Sequence, residues 1–135
     1  AGVPVMGHLG LTPQSVNQFG GYGLRAKEEA EAAKLLHDAK LLDEAGCFSI
    51  VLEKIPAALA KKVTESVSCP VIGIGAGNLC DGPVLVLRDL LGLTEGFTPK
   101  FLRHFAQLAD EVKGAVDEYI HAVKNSSFPT AEESY

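Results

Sequence analysis

The sequence predicts an α/β fold, and three observations carry the prediction. Short apolar runs alternate with stretches of helical periodicity along the whole chain. The run Cys47–Leu52 reads as a strand buried on both faces, the habit of a parallel sheet. The segments between runs are helical, as parallel strands with right-handed crossovers require. The resulting order is strand, helix, strand, helix, strand, strand, helix. An open doubly wound sheet and half of a (β/α)8 barrel satisfy it equally, and periodicity does not separate them.

The first run is Val3–Met6, which Gly7-His8 is expected to close. A polar, glycine-rich stretch follows over 10–23, and structureless connections of that length in compact proteins are usually functional. Residues 27–45 form the first helix. Leu35, Leu36, Ala39 and Leu42 recur at helical spacing, acids crowd the first turn, and Gly46 stands where a glycine ends a helix. In the strand Cys47–Leu52, Phe48, Ile50 and Leu52 share one side and suit packing against outer helices. Cys47, Ser49, Val51 and Glu53 share the other, smaller side, which suits a barrel interior, so Glu53 is expected to point inward at the strand end. Pro56 begins the next helix, where its missing N–H costs nothing, with Leu59, Val63 and Val67 as the buried stripe. Residues 70–74 make a third strand that runs into Gly73-Ile74-Gly75-Ala76-Gly77. The run Val84–Leu87 fits a fourth strand or a helix start, since four apolar residues do not decide. Thr98-Pro99 signals a long helix to about Lys124, with Phe101, Phe105, Leu108, Val112, Val116, Tyr119 and Val123 as its stripe. The tail 125–135 is polar. No repeat or low-complexity tract divides the chain, so 1–135 reads as a single unit.

Composition narrows the function. Hydrophobic residues at 47% and charged residues at 21% suit a globular chain and argue against long disorder. A net charge of −5, with only Lys61-Lys62 as a basic cluster, argues against nucleic acid. No apolar run is long enough to span a membrane, and no leader opens the chain. Three cysteines, Cys47, Cys69 and Cys80, are an odd number without CxxC spacing, as reduced cytoplasmic thiols would be. The chain opens without Met, already inside an apolar run, and is expected to be a fragment.

In either α/β architecture, ligands bind at the C-terminal ends of the strands. That rule selects Gly7-His8, Glu53, the 73–77 loop and Arg88-Asp89. Glu53 leads, because a carboxylate directly after apolar and small residues is costly to bury unless paired or used. Its bland alternative is a solvated strand-end acid beside Lys54; its functional one is a general base. His8 suits a capping role or a site role equally. His37, His104 and His121 fall within expected helices and read as surface or packing residues. No His or acid spacing is typical of a metal site. The Gly73-x-Gly75-x-Gly77 loop is a poor dinucleotide fingerprint: its third glycine falls one residue early, and Asn78–Pro83 does not open a helix. Its glycines mean that a ligand or neighbouring backbone comes close.

Several motifs together resemble one family. Val5-Met6-Gly7-His8-Leu9-Gly10-Leu11-Thr12-Pro13-Gln14-Ser15-Val16-Asn17, Phe19-Gly20-Gly21-Tyr22 and Val51-Leu52-Glu53-Lys54-Ile55-Pro56 are similar to the ketopantoate hydroxymethyltransferase (3-methyl-2-oxobutanoate hydroxymethyltransferase) family. Ile72–Gly77, Cys80-Asp81-Gly82, Val84–Asp89, Leu91-Gly92-Leu93, Pro99-Lys100-Phe101 and the Phe128-Pro129 tail continue the likeness in order. It covers essentially all of 1–135, and only the C-terminal half of the family's chain. The resemblance implies a (β/α)8 TIM barrel of the phosphoenolpyruvate/pyruvate type, of which this chain would supply strands 5 to 8. It further implies a cytoplasmic homo-oligomer of pantothenate and coenzyme A biosynthesis. The reaction it implies moves a hydroxymethyl group from 5,10-methylenetetrahydrofolate to 3-methyl-2-oxobutanoate, giving 2-dehydropantoate (ketopantoate).

On this mapping Glu53 aligns with the proton acceptor and His8 with a substrate-binding histidine of the oxo-acid pocket. The Leu9–Tyr22 loop and Gly73–Gly77 would frame the mouth where folate enters. The family's Mg2+ ligands lie in the N-terminal half, so no metal ligand is expected in this chain, and Asp81 and Asp89 are not substitutes. Lys54 stands where relatives often carry a small residue, and strand parity puts it on the side opposite Glu53. Alone, the chain is expected to be inactive, with the N-terminal half of the same enzyme as its partner. Two other readings stay open: a non-catalytic half-barrel or small-molecule-binding module lacking the metal site, and a barrel enzyme binding a phosphorylated substrate at Gly73–Gly77.

Overall fold

The computed structural model describes residues 2–96 and 98–135. They form two compact units, one ending at Val84 and the other Leu85–Tyr135. The first unit holds four parallel strands, β1 (Met6–Gly10), β2 (Ser49–Glu53), β3 (Val71–Ile74) and β4 (Gly82–Pro83), in the sheet order β1-β2-β3-β4. Helix α1 (Glu29–Glu44) links β1 to β2, and α2 (Ala57–Thr64) links β2 to β3. The protein is therefore α/β with a parallel sheet, as the alternation predicts.

The pleat sorts the two faces of the sheet. Register pairs Gly7 with Ile50 and Leu52 with Gly73, while His8 lies opposite Val51 and Gly10 opposite Glu53. Ile50, Leu52 and Val71 are fully buried, together with Leu35 and Ala39 of α1 and Ala60 and Val63 of α2. Each of the buried Leu, Ile and Val side chains contributes roughly 1.5–3 kcal/mol of burial, so this helix-covered face is the core of the unit. The opposite face carries His8, Val51, Glu53, Ile72 and Ile74, all partly exposed.

Several elements differ from expectation. The first strand begins where the apolar run ends. Gly7 does not close the strand but lies inside it, because a Cβ there would stand 2.8 Å from Leu42 Cδ1 and α1 packs directly on the bare backbone. His8 is consequently mid-strand. Phe48, expected on the packed face, precedes β2 and is 52% exposed. Pro56 caps α2 from outside it, and Val67 packs on the core from beyond the helix end. The run Val84–Leu87 splits: Val84 N–H extends the β3–β4 pairing to Gly73 O at 2.9 Å, and Leu87 opens the short helix α3 (Leu87–Leu90).

In the second unit the long helix starts late, as α4 (Leu108–Lys124). Phe105 N–H donates to Leu90 O at 2.8 Å and Leu108 N–H to Leu91 O at 3.1 Å. These bonds to the end of α3 take donors that a helix begun at Pro99 would need, and His104 therefore lies outside any helix. The stripe of α4 is periodic as expected but not buried: Val112, Val116, Tyr119 and Val123 are exposed. Tyr119 meets Phe128 edge to face at 5.7 Å. No helix among the described residues is long and apolar enough to cross a membrane.

Candidate functional site

His8 and Glu53 come together from 45 residues apart. Parallel pairing sets Gly10 beside Glu53 and His8 beside Val51, so alternation puts both side chains on the face that the helices leave open. His8 Nε2 stands 3.0 Å from Glu53 Oε2, with the side chains 32% and 25% exposed. Glu53 ends β2, where the open face meets the loops at the C-terminal end of the sheet. A donor on one oxygen fixes the rotation of the carboxylate, and partial exposure leaves the group within reach of a ligand. Such a pair can take a proton from a carbon acid held above it.

The loop after β1 closes on the same peptide. Gly10 has φ +89, and a Cβ there would lie 2.2 Å from Glu53 O, so only glycine lets the chain turn so close to the carboxylate's own backbone. Leu11 N–H then donates to Glu53 O and Arg25 N–H to Lys54 O, each at 2.9 Å. Within the loop, the Arg25 guanidinium lies 3.9 Å over the Phe19 ring and pairs with Glu31 of α1, which also accepts Ala26 N–H at 2.9 Å. A groove of about 460 Å³ runs from His8 and Gly10 past Thr12, Phe19 and Arg25 to Leu35. His8 is among its lining residues and Glu53 is not, and Lys34, Leu35 and Asp38 of α1 form its other wall.

The other singled-out residues have structural work. A Cβ on Gly77 would meet Ala57 Cβ at 2.4 Å, and one on Gly73 would meet Cys80 Sγ at 2.8 Å. Neighbouring chain, the start of α2 and the Cys80 side chain, is thus what approaches these glycines. Asp81 accepts Val71 N–H at 2.8 Å and anchors the start of β3. Burial pushes the Cys80 thiol up, as do burial and the Asp43 carboxylate for Cys69. His37 and His121 are exposed on α1 and α4. Among the described residues no three His, Cys, Asp or Glu side chains cluster as a metal would require.

Sequence reasoning missed Lys54 as a contact. Its φ of +50 breaks the alternation that parity assumes, and its Nζ donates to Tyr22 O in the loop. It also missed Asp43, whose carboxylate accepts the N–H groups of Ser68 and Cys69. No spacing signals either, since both depend on backbone placed by tertiary packing.

Comparison with known proteins identifies the family. A family model described as ketopantoate hydroxymethyltransferase matches residues 1–131. A 3-methyl-2-oxobutanoate hydroxymethyltransferase of Porphyromonas gingivalis is 62% identical over 135 residues, covering 100% of this chain and 50% of the relative. Enzymes of the same name from Caldicellulosiruptor saccharolyticus and Parabacteroides distasonis are 62% and 58% identical over the whole chain, which covers 51% and 50% of them. The chain thus spans about half the length of the curated relatives it matches. With matches running over nearly every residue, including the strands that carry His8 and Glu53, the chain belongs to the ketopantoate hydroxymethyltransferase family.

Proposed function

We propose that the chain supplies strands 5 to 8 of a (β/α)8 barrel of the phosphoenolpyruvate/pyruvate type, acting with a complementary segment that carries the other four. Two observations support the half-barrel. The strand order is consecutive, without the reversal that a doubly wound sheet has at its switch point, and the covering helices share one core on one face. The open face then becomes the barrel interior and the His8–Glu53 end its catalytic mouth. The completed barrel transfers a hydroxymethyl group from 5,10-methylenetetrahydrofolate to 3-methyl-2-oxobutanoate, giving 2-dehydropantoate for pantothenate and coenzyme A synthesis in the cytoplasm. Exposed apolar side chains such as those of α4 are the kind of surface that a homo-oligomer covers.

The observation that carries this reading is the 3.0 Å His8–Glu53 contact at the strand ends. Glu53 takes the proton from the substrate carbon next to the ketone, and the electron pair left behind attacks the folate methylene carbon. That carbon carries no oxygen of its own. A water first displaces the two folate nitrogens from it, releasing tetrahydrofolate and leaving the carbon at the formaldehyde level. When the electron pair adds to it, the oxygen takes up the proton that Glu53 removed and becomes the hydroxyl. His8 orients the carboxylate and lines the groove beside it. The described residues do not by themselves fit a magnesium ion, so its ligands are assigned to the complementary segment and no step of this chain is routed through it.

The test joins this chain to the first half of the Porphyromonas gingivalis relative and assays 2-dehydropantoate formation with magnesium. The joined protein is expected to turn over, and the chain alone is not. Glu53→Gln should reduce turnover by about 10²–10⁴-fold, the usual contribution of a general base, with the melting transition retained. Unchanged turnover in that variant removes Glu53 from the role of base.

A further inference from the structure

Two successive carbonyls beside the candidate base hold both ends of the loop that follows β1. Glu53 O takes the Leu11 amide and Lys54 O takes the Arg25 amide, each at 2.9 Å. Lys54 presents its carbonyl there because its backbone is left-handed, at φ +50, a conformation that residues other than glycine rarely adopt. Its own N–H is tied to Ile74 O at 2.8 Å, which fixes the turn against β3. At the other end of the Arg25 contact, Ala26 is also left-handed, at φ +51, and buried. Two non-glycine residues in this unfavourable region thus flank one hydrogen bond. The Lys54 side chain adds a second grip, its amine donating to Tyr22 O three residues before Arg25. Such locally unfavourable backbone persists where the surroundings over-determine it, and it clusters at functional sites.

We propose that Lys54 is a positioning residue: it closes the Leu11–Arg25 loop over the rim beside Glu53 and thereby sets the affinity of the site for the larger, tetrahydrofolate-borne substrate, which must approach past that rim. The substrate named here rests on the transferase reading; the latch itself does not. Its amine and its carbonyl hold the returning limb of the loop at Tyr22 and at Arg25. Because Lys54 follows Glu53 directly, loop closure and carboxylate placement share one peptide.

The experiment measures residue-resolved amide exchange of the full chain as wild type, Lys54→Met and Lys54→Arg. Methionine keeps the aliphatic stem and removes the amine, whereas arginine restores a charged donor. In Lys54→Met the Arg25 amide should exchange about fivefold faster, the effect of losing one hydrogen bond to the loop. The Leu11 amide, held by Glu53, should be unchanged, and Lys54→Arg should return Arg25 to within about twofold of wild type. In the joined transferase, Lys54→Met should raise KM for 5,10-methylenetetrahydrofolate about fivefold, with kcat and KM for the oxo acid within about twofold. Equal Arg25 exchange in all three proteins overturns the latch. So does a parallel rise at Leu11, which would mean general loosening. Faster loop exchange with an unchanged folate KM overturns the positioning role. Exchange is read without substrate, so an inactive joined wild type would sink the transferase reading while the exchange rates still decide for or against the latch.

Discussion

Gly10→Ala should be among the most damaging single-methyl changes in the chain, and its cost can be worked from contacts. The added Cβ would sit 2.2 Å from Glu53 O and 2.8 Å from Ile55 Cγ2, and Ile55 is only 2% exposed. The backbone oxygen is part of β2, so it cannot rotate away as a flexible side chain would. Three costs follow. Holding alanine at φ +89 costs about 1–2 kcal/mol. Pushing Glu53 O aside loses the Leu11 hydrogen bond, about 1 kcal/mol. Overpacking against Ile55 adds about 1–3 kcal/mol. Together these give about 3–6 kcal/mol, enough to unfold a marginally stable domain. Gly20 is the control, since at φ +71 it has nothing within 4 Å of a built Cβ, so Gly20→Ala should cost only the conformational part, about 1–2 kcal/mol. Urea denaturation of the two variants, with unchanged slopes, measures the difference. Equal losses would falsify the claim that the backbone of Glu53 is packed against Gly10.

Two further outcomes concern stability. Leu52 is fully buried in the core between the sheet and the helices, and Leu52→Ala should lower the unfolding free energy by about 2–5 kcal/mol in the same titration. A loss below that range would mean that the helix-covered face is loosely packed. Asp43 gives a pH signature. Chiefly through the Ser68 backbone hydrogen bond, its carboxyl is held below the ordinary value of 3.8. A depressed acid contributes stability that is present above its unfolded pKa and is lost as pH falls through the folded one. The gap in denaturation midpoint between wild type and Asp43→Asn should hold steady from about pH 6 to 8 and narrow below about pH 4. A gap that stays constant down to about pH 3 would refute the ionic character of the Asp43–Ser68 contact.

The parts of the site that were legible share a cause. Glu53 stood out because a charge ending an apolar strand conflicts with burial, and conflict of that kind is readable in one dimension. Its facing direction followed from period-2 alternation, which β2 obeys. His8 was harder. As a residue expected just past a strand end it could cap or bind, and nothing within the chain around it distinguished the two. Only parallel register with a strand some forty residues later places its ring on Glu53. Lys54 is not legible as a loop contact, because nothing local signals its left-handed backbone or the Tyr22 carbonyl that its amine meets. The helix expected from Pro99 failed for a similar reason: the carbonyls of Leu90 and Leu91 compete for the amides of 105 and 108, and no local pattern reports that competition.

Composition, periodicity and motif order determined the α/β class, the two main crossover helices of the first unit, the buried side of β2 and the family. These properties follow from burial and helix or strand period, which neighbouring residues express among themselves. Tertiary structure alone decided the strand register, the 3.0 Å meeting of imidazole and carboxylate, and the anchoring of the loop on the peptide that bears Glu53. Those depend on hydrogen bonds between residues far apart in sequence, whose partners are chosen by packing in three dimensions.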